Sequence, residues 1–422
     1  MRATIAVASS NETRPMLDSG VEWIGRIPSH WRVLQTRRVC DLTTGWRDTQ
    51  DAEPGGEYPF FVRSQTIERI GTYSFEGEAV LTSGDGAGVG KIFHHHVGKL
   101  EFHQRVYLYH AFRHVTGRFF FYYLREHLHR VVLAGNAKST VDSLRRPMLQ
   151  EFPVVVPSIP EQRAIVSFLD RKIAVLDSLL CKKARLAELL DEKRHALVTD
   201  AVTKGIDRNV PMKRSSIEWL DEIPEHWDVQ RGRFLFRELA LPPRPDDGVV
   251  TAFRDGQVTL RENRRTDGFM LAEKETGYQH VREGDLVMHS MDAFAGAIGV
   301  SESSGKCTPE YVVMEPSDER VSNPCYARLL RVMAKRNYIF VISPSVRERA
   351  PRFRFVAFKD VPLPLPSLKE QREILHYVER ESPPLVKAAS KLQEQVASIE
   401  EYREALISAA VTGKLDVSKE EA

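Results

Sequence analysis

Residues 20–33 read GVEWIGRIPSHWRV, and residues 216–229 read SIEWLDEIPEHWDV. Glu22, Trp23, Ile27, Pro28, His30, Trp31 and Val33 recur as Glu218, Trp219, Ile223, Pro224, His226, Trp227 and Val229, 196 residues further on. The match extends upstream, where Pro15-Met16 answers Pro211-Met212, and four of the five tryptophans lie in the two segments. An internal repeat of this density decides the architecture before any local propensity does.

Two further pairs lie outside the first. PVVVPSIPEQRAI at 153–165 returns as PLPLPSLKEQREI at 362–374, with the spacing widened to 209 residues. The same spacing relates ALVTDAVTKGID at 196–207 to ALISAAVTGKLD at 405–416. The intervals between the first and second pairs share little identity. Constant blocks bracketing a divergent block, twice over, suit one scaffold that carries two different reading heads.

Each proline segment leads into a helix with a legible start. Ser158-Ile-Pro-Glu161 and Ser367-Leu-Lys-Glu370 fit S-x-x-E, in which serine caps an early backbone N–H and glutamate reaches back to the cap. Apolar residues then recur every seven: Leu169, Leu176, Leu190 and Leu197 in the first copy, with Lys183 interrupting, and Val378, Leu385, Leu392, Ile399 and Leu406 in the second. Sustained heptads in matched register predict two helices packed as an antiparallel coiled coil. Glycine closes each, at Gly205 and Gly413. Roughly 45 residues at about 1.5 Å each span about 65 Å. Pro383-Pro384 falls within the second heptad stretch, which predicts a short helix over 369–381 and a long one over 384–413.

The divergent blocks, 34–152 and 230–361, mix strand-like and helical stretches. Tyr58–Val62, Glu78–Thr82, Val106–Tyr109, Asp285–His289 and Tyr311–Met314 read as strands, Arg118–His127 and Pro324–Lys335 as helices. Gly77-Glu-Ala-Val-Leu and Gly284-Asp-Leu-Val-Met form a shared turn-to-strand element, each followed by a glycine-rich stretch at 84–90 and 296–299. The fold class is α+β: two globular mixed α/β heads separated by two long antiparallel coiled-coil helices, with an internal pseudo-two-fold. The boundaries read as a disordered tail over 1–14, a first head over 15–157, a first spacer helix over 158–205, a second head over 206–366, a second spacer over 367–417 and a tail over 418–422.

Bulk properties agree with this plan. The 422 residues are too many for one ordinary core, and 42% are hydrophobic and 28% charged, as in soluble globular chains. No apolar run approaches the roughly 20 residues of a membrane span, and Met1 to Asn11 lacks the apolar core of a signal peptide. Cys40, Cys181, Cys307 and Cys325 stand far apart, as reduced thiols of a cytoplasmic protein do. A net charge of +2 does not announce nucleic acid, so any basic surface must be local.

No complete catalytic constellation is present. Ser83-Gly-Asp-Gly-Ala-Gly-Val-Gly-Lys91 departs from a Walker loop at Asp85 and Ile92, and reads as a turn between strands. Asn323-Pro-Cys-Tyr326 has cysteine where the amino-methyltransferase motif has its second proline, and reads as Asn N-cap with Pro at N1. Asp170-Arg-Lys172 and Asp191-Glu-Lys193 lie on the first long helix, where a solvated face accounts for them. His94-His95-His96 reads as a loop that meets phosphate in preference to a metal site. The constancy of Trp23, Trp31, Trp219 and Trp227 points to packing.

The doubled W-x-[GD]-x-I-P-x-H-W segment, the doubled P-S-x-x-E-Q-R before a long helix and the A-V-T helix endings resemble the specificity subunits of type I restriction–modification systems, over nearly the whole span from Pro15 to Asp416. The departures are Asp221 in place of Gly25 and the Pro383-Pro384 pair. The resemblance implies two target recognition domains, each reading half of a split, asymmetric site in double-stranded DNA. It also implies a spacer-helix pair that fixes the gap and docks two methyltransferase subunits, with restriction subunits outside. The chain itself would bind no cofactor and no metal. Its partner subunits would use S-adenosylmethionine, ATP and Mg. A free-standing DNA methyltransferase or nuclease, or a coiled-coil adaptor without DNA contact, are the competing readings.

Base readers belong in the divergent blocks, since Arg and Lys suit guanine, Asn and Gln suit adenine, and Ser and Thr suit either. The first head offers Arg63, Ser64, Gln65, Lys91, Lys138, Ser139 and Thr140. The second offers Arg254, Gln257, Arg261, Arg264 and Arg265, then Arg347, Arg349, Arg352 and Arg354.

Overall fold

In the computed structural model, which describes residues 14–86, 89–135, 144–264, 276–343 and 352–419, the doubled tryptophan segment folds alike in both copies. Met16–Asp18 pairs antiparallel with Arg26–Pro28, and Met212–Arg214 with Glu222–Pro224, with Met opposite Pro in each. The strand that follows the second tryptophan, Arg32–Gln35 or Asp228–Arg231, pairs with the strand of the proline segment, Pro153–Val156 or Pro362–Leu365. Each head is therefore closed at its base by residues that flank it in sequence.

The chain divides into two units, Met1–Ala184 with Gln393–Ala422, and Arg185–Leu392. In the first, β1 (Asp41–Thr44), β2 (Tyr58–Phe61), β3 (Glu68–Ile70), β4 (Phe75–Ser83), β5 (Phe93–Phe102) and β6 (Val106–His110) form one sheet in the order β1-β6-β4-β5-β2-β3. Its pairings are antiparallel except β2 with β5. Alternation along β4 sends Val80 to one face, against helix α1 (Gly117–Gly135), and Ala79 and Leu81 to the other. Phe119, Phe120, Tyr123, Leu124 and Leu128 recur at helical spacing and are fully buried, so α1 packs one stripe onto the sheet. Each such side chain contributes roughly 1.5–3 kcal/mol.

The second unit repeats the centre of this plan with shorter strands. These are β7 (Phe236–Leu239), β8 (Val250–Ala252), β9 (Val258–Leu260), β10 (Gln279–Val281), β11 (Leu286–His289), β12 (Ile298–Val300), β13 (Gly305–Cys307) and β14 (Tyr311–Pro316). The main sheet runs β7-β14-β11-β12, with β8 paired to β9 and β10 to β13. Helix α2 (Asn323–Lys335) lies over Leu286 and Met288, while Val287 faces a separate cluster. Ser322 is the cap of α2 and Asn323 already helical, which moves the expected N-cap back by one residue. Asn323 instead donates its amide to the Gly284 carbonyl at 2.7 Å.

The first long helix runs Ile159–Lys204 and the second Leu368–Val411. The second is one element across Pro383 and Pro384, so the expected break is corrected. Both prolines are exposed, and the Glu379 and Arg380 carbonyls they leave without an N–H partner lie on that exposed side. Packing on either side, buried Val378 and half-buried Leu385, holds the helix through them. Leu169 and Leu406 are also buried, and Leu176, Leu190, Leu197, Leu392 and Ile399 half-buried. Lys183 lies in the same stripe and donates to Gln395 Oε1 at 2.8 Å, while Arg403 donates to Asp177 at 2.8 Å. As the first helix advances from 177 to 183 its partner retreats from 403 to 395, which is antiparallel packing within the first unit. No described helix is long and apolar enough to cross a membrane.

Candidate nucleic-acid interface

The proline motif builds the base of each head through three consecutive jobs. Ser158 Oγ lies 3.5 Å from the Glu161 N–H, and the Glu161 carboxylate accepts from the Ser158 N–H at 3.1 Å, so the capping box forms. The other Glu161 oxygen accepts from Trp31 Nε1 at 3.2 Å and meets His30 Nε2 at 2.8 Å. Glu370 does the same with Trp227, at 3.1 Å, and His226, at 2.6 Å. Burial would raise the Glu161 carboxyl, but hydrogen bonds from His30, Ser158 and Trp31 bring it down to about 2. Glu370 is brought to about 2 by His226, Trp227 and Ser367 against the same burial.

The next residue anchors the head helix. Gln162 is fully buried, donates to the His114 and Pro157 carbonyls and accepts from the Thr116 N–H beside the start of α1. Gln371 repeats this with Arg320, Pro366 and Ser322 at the start of α2. Tyr123 and Tyr326 donate from these helices to the Pro153 and Pro364 carbonyls. At the far end of each long helix a glycine in the left-handed region, Gly205 (φ +76°) or Gly413 (φ +72°), makes room for a tryptophan. A Cβ on Gly413 would come within 2.9 Å of the Trp31 ring, and one on Gly205 within 3.4 Å of Trp227. The helix that leaves the first head ends on the tryptophan of the second motif, and the helix that leaves the second head ends on that of the first.

Upon these constant bases the heads present different polar corners. In the first, Asp85 sits in the turn leaving β4 and accepts from Arg63 at 3.0 Å and from Arg105. Burial raises its carboxyl, yet the two arginines hold it below the ordinary value. In the second, Asp292 sits in the turn leaving β11 and accepts from Arg254 at 2.8 Å. The backbone frames agree: Gly84 N donates to the Arg105 carbonyl and Ser290 N to the Glu310 carbonyl, both at 2.8 Å. Arg63 and Arg254 each follow their strand, β2 or β8, by two residues. The third position differs in sign, since Arg105 is answered by Glu310, which accepts from Arg352 at 3.0 Å and contacts Arg354.

The remaining expected readers divide accordingly. Gln65 donates to the Lys91 carbonyl at 3.0 Å, and Ser64 Oγ accepts from the Thr66 N–H, so Arg63, Ser64, Gln65 and Lys91 share one corner. Gln257 donates to Glu302, while Arg264 pairs with Asp255 and covers the Phe253 ring at 4.2 Å. Arg261 reaches Thr251 Oγ1 at 3.4 Å. Lys138, Ser139, Thr140, Arg265, Arg347 and Arg349 lie outside the described residues.

His94, His95 and His96 are strand residues of β5, which corrects the loop expectation. His94 meets the Ser64 carbonyl and His95 meets Glu78, and among the described residues no three His, Cys, Asp or Glu side chains converge as metal ligands. Sequence reasoning missed Asp292 and Glu310, because a carboxylate that positions an arginine has no local signature. It also passed over Trp46, the fifth tryptophan, which is 64% exposed under the Arg47 guanidinium at 3.9 Å. Its absence from the repeat was the available signal. Arg47 pairs through its carbonyl with the Gln104 N–H, which sets Trp46 beside the Arg105 corner.

Comparison with known proteins converges on one family. Residues 28–188 match the family model described as type I restriction modification DNA specificity domain. The specificity subunit of the Escherichia coli type I restriction enzyme EcoDI is 22% identical over 414 residues, covering 93% of this chain and 90% of that protein. That of Escherichia coli EcoBI is 24% identical over 333 residues, covering 71% of this chain and 65% of that protein. A solved structure, titled for complex assembly and conformational transition of the type I R-M system, covers 92% of this chain and 99% of its own at TM-score 0.66 and 13% identity, which supports the fold. With the doubled heads and the paired long helices, these matches make the chain similar, over nearly its whole length, to the specificity subunits of type I restriction–modification systems.

Proposed function

We propose that each head reads one half of a split, asymmetric site in double-stranded DNA, and that the long helices set the gap and dock two methyltransferase subunits, with restriction subunits joining them. The observation that carries this reading is the aspartate-held arginine, Arg63 on Asp85 and Arg254 on Asp292, at the same corner of two otherwise divergent heads. A guanidinium fixed by a carboxylate keeps donors free in a set orientation, as reading guanine requires. Different neighbours at that corner, Arg105 in one head and Glu310 with Arg352 in the other, would make the two half-sites unlike. Docking is supported by the relatives' names as parts of restriction enzymes and by the solved structure's title on complex assembly. S-adenosylmethionine, ATP and Mg would serve the partner subunits, in the cytoplasm.

The test is a head exchange. Residues 34–152 are replaced by the matching block of a related subunit, and methylated motifs are mapped in cells that also carry the methyltransferase subunit. One half of the motif should change and the other persist. A change in both halves together would remove the two-reader account.

A further inference from the structure

In the second unit a cavity of about 160 Å³ opens between α2 and the two long helices. Its floor is apolar, from Val198, Val332 and Val378, and its walls carry Arg194, Arg328, Arg331, Lys335 and His195. Three carboxylates answer these cations: Asp191 on Arg194 at 2.8 Å and on His195 at 3.1 Å, Glu379 on Arg328 at 3.3 Å, and Asp255 facing Arg331; Asp191 and Glu379 are more than half exposed, at 56% and 62%. Lys335 directs its ammonium to the His195 ring at 2.8 Å. Ser382 Oγ and Arg331 Nε are buried there without a hydrogen-bond partner. Buried donors without acceptors are costly and uncommon.

The same place in the first unit is built differently. The spacing of 209 residues puts Arg403, Glu404 and Ile173 where the second unit has Arg194, His195 and Ser382. The paired tyrosines Tyr123 and Tyr326 put Arg125 and Leu128 where the second unit has Arg328 and Arg331. Leu128 and Ile173 are buried, filling the space, and Glu404 adds an acid in place of the imidazole. The first unit also leaves arginine nitrogens without partners there, Arg403 Nε and Arg130 Nε, but it closes the space with apolar side chains and sets Glu126 and Glu404 among its arginines. The second unit has instead kept a hole, a free hydroxyl and surplus positive charge.

We propose that this cavity is a binding site for a phosphate-class oxyanion, held by Arg194, Arg328 and Lys335 with Ser382 donating from the floor. The volume falls well below the roughly 300 Å³ at which pockets for whole organic ligands begin, which suits phosphate or diphosphate, free or as the tail of a larger molecule. Guanidinium and ammonium groups around one oxyanion form charge-assisted hydrogen bonds. Occupancy would clip α2 to both long helices and stabilise the second unit by mass action.

The experiment uses the full chain at fixed ionic strength. Calorimetric titration and thermal unfolding are run with inorganic phosphate, with pyrophosphate and with a nucleoside triphosphate, against chloride. Saturable binding of at least one, with a raised unfolding midpoint, is expected, and the pattern among the three separates a free ion from a phosphate tail. Lys335→Gln should weaken it at least tenfold, and Ser382→Ile should abolish it while the chain stays folded, since the first unit folds with Ile173 there. Arg125→Gln, at the matching place in the first unit, should leave it unchanged. Absence of saturable binding in the wild type, or equal binding by wild type and Ser382→Ile, overturns the proposal.

Discussion

Glu161 reaches back 131 residues to His30, and Glu370 reaches back 144 to His226, so one carboxylate in each head ties a helix start to a distant hairpin. With folded values near 2 against an ordinary 4.5, each stabilises the fold fully above about pH 4.5, and that contribution is lost as pH falls toward 2. Glu161→Gln and Glu370→Gln should each cost about 1 kcal/mol at pH 7, and the difference from wild type should shrink in acid unfolding curves. Glu126 runs the other way. Burial, then Glu404, pushes its carboxyl up to about 7, so the folded chain holds a proton that the unfolded chain has released. Stability through this group falls as pH rises from about 4.5 to 7, and Glu126→Gln should raise the melting temperature at pH 8 and leave it unchanged at pH 5. At the Asp85 corner, on the proposed reading, Arg63→Ala should cost roughly 1–3 kcal/mol and relax one base position in binding assays. Trp46→Ala, beside it, should weaken binding to all sequences alike in the same assays, without relaxing any base position.

At the scale of elements, the long helices show which sequence rules survive packing. The S-x-x-E starts were legible because a cap is made by residues three apart. The heptads were legible because they repeat a single face. Pro383 and Pro384 were misread because local propensity speaks only for an isolated helix, whereas here Val378 and Leu385 hold the element on both sides of them. Pro384→Ala should therefore stabilise the chain, by up to about 3 kcal/mol, in chemical unfolding. Lys183 looked like an interruption because its partner, Gln395, is 212 residues away. The aspartate-held arginine corners were the least legible part: Arg63 stood out by residue type, but Asp85 meets it from a turn 22 residues later. His94–His96 misled for a related reason, since strand pairing with Leu81, Val80 and Ala79 of β4 outweighs the polarity of three imidazoles.

At the scale of the whole molecule, the two long helices are the parts that both units share, and their length is a testable quantity. Removing seven residues from one of them preserves the heptad phase, and should change the gap in the methylated motif while leaving both half-sites as they were. An unchanged gap would show that the helices do not measure the site. A different consequence follows from the glycines that end the helices. Gly205 closes on Trp227, Gly413 closes on Trp31, and Arg14 meets Asp416 at 3.4 Å, so the last described turn of the chain lies against its first hairpin. Within the first unit the two ends of the described chain therefore meet. Joining residue 416 to residue 14 through a short linker and opening the chain at the 206–210 turn should give the same two units with the heads encoded in reverse order. That permuted chain should recognise the same DNA, because each tryptophan hairpin keeps the helix end that packs on it.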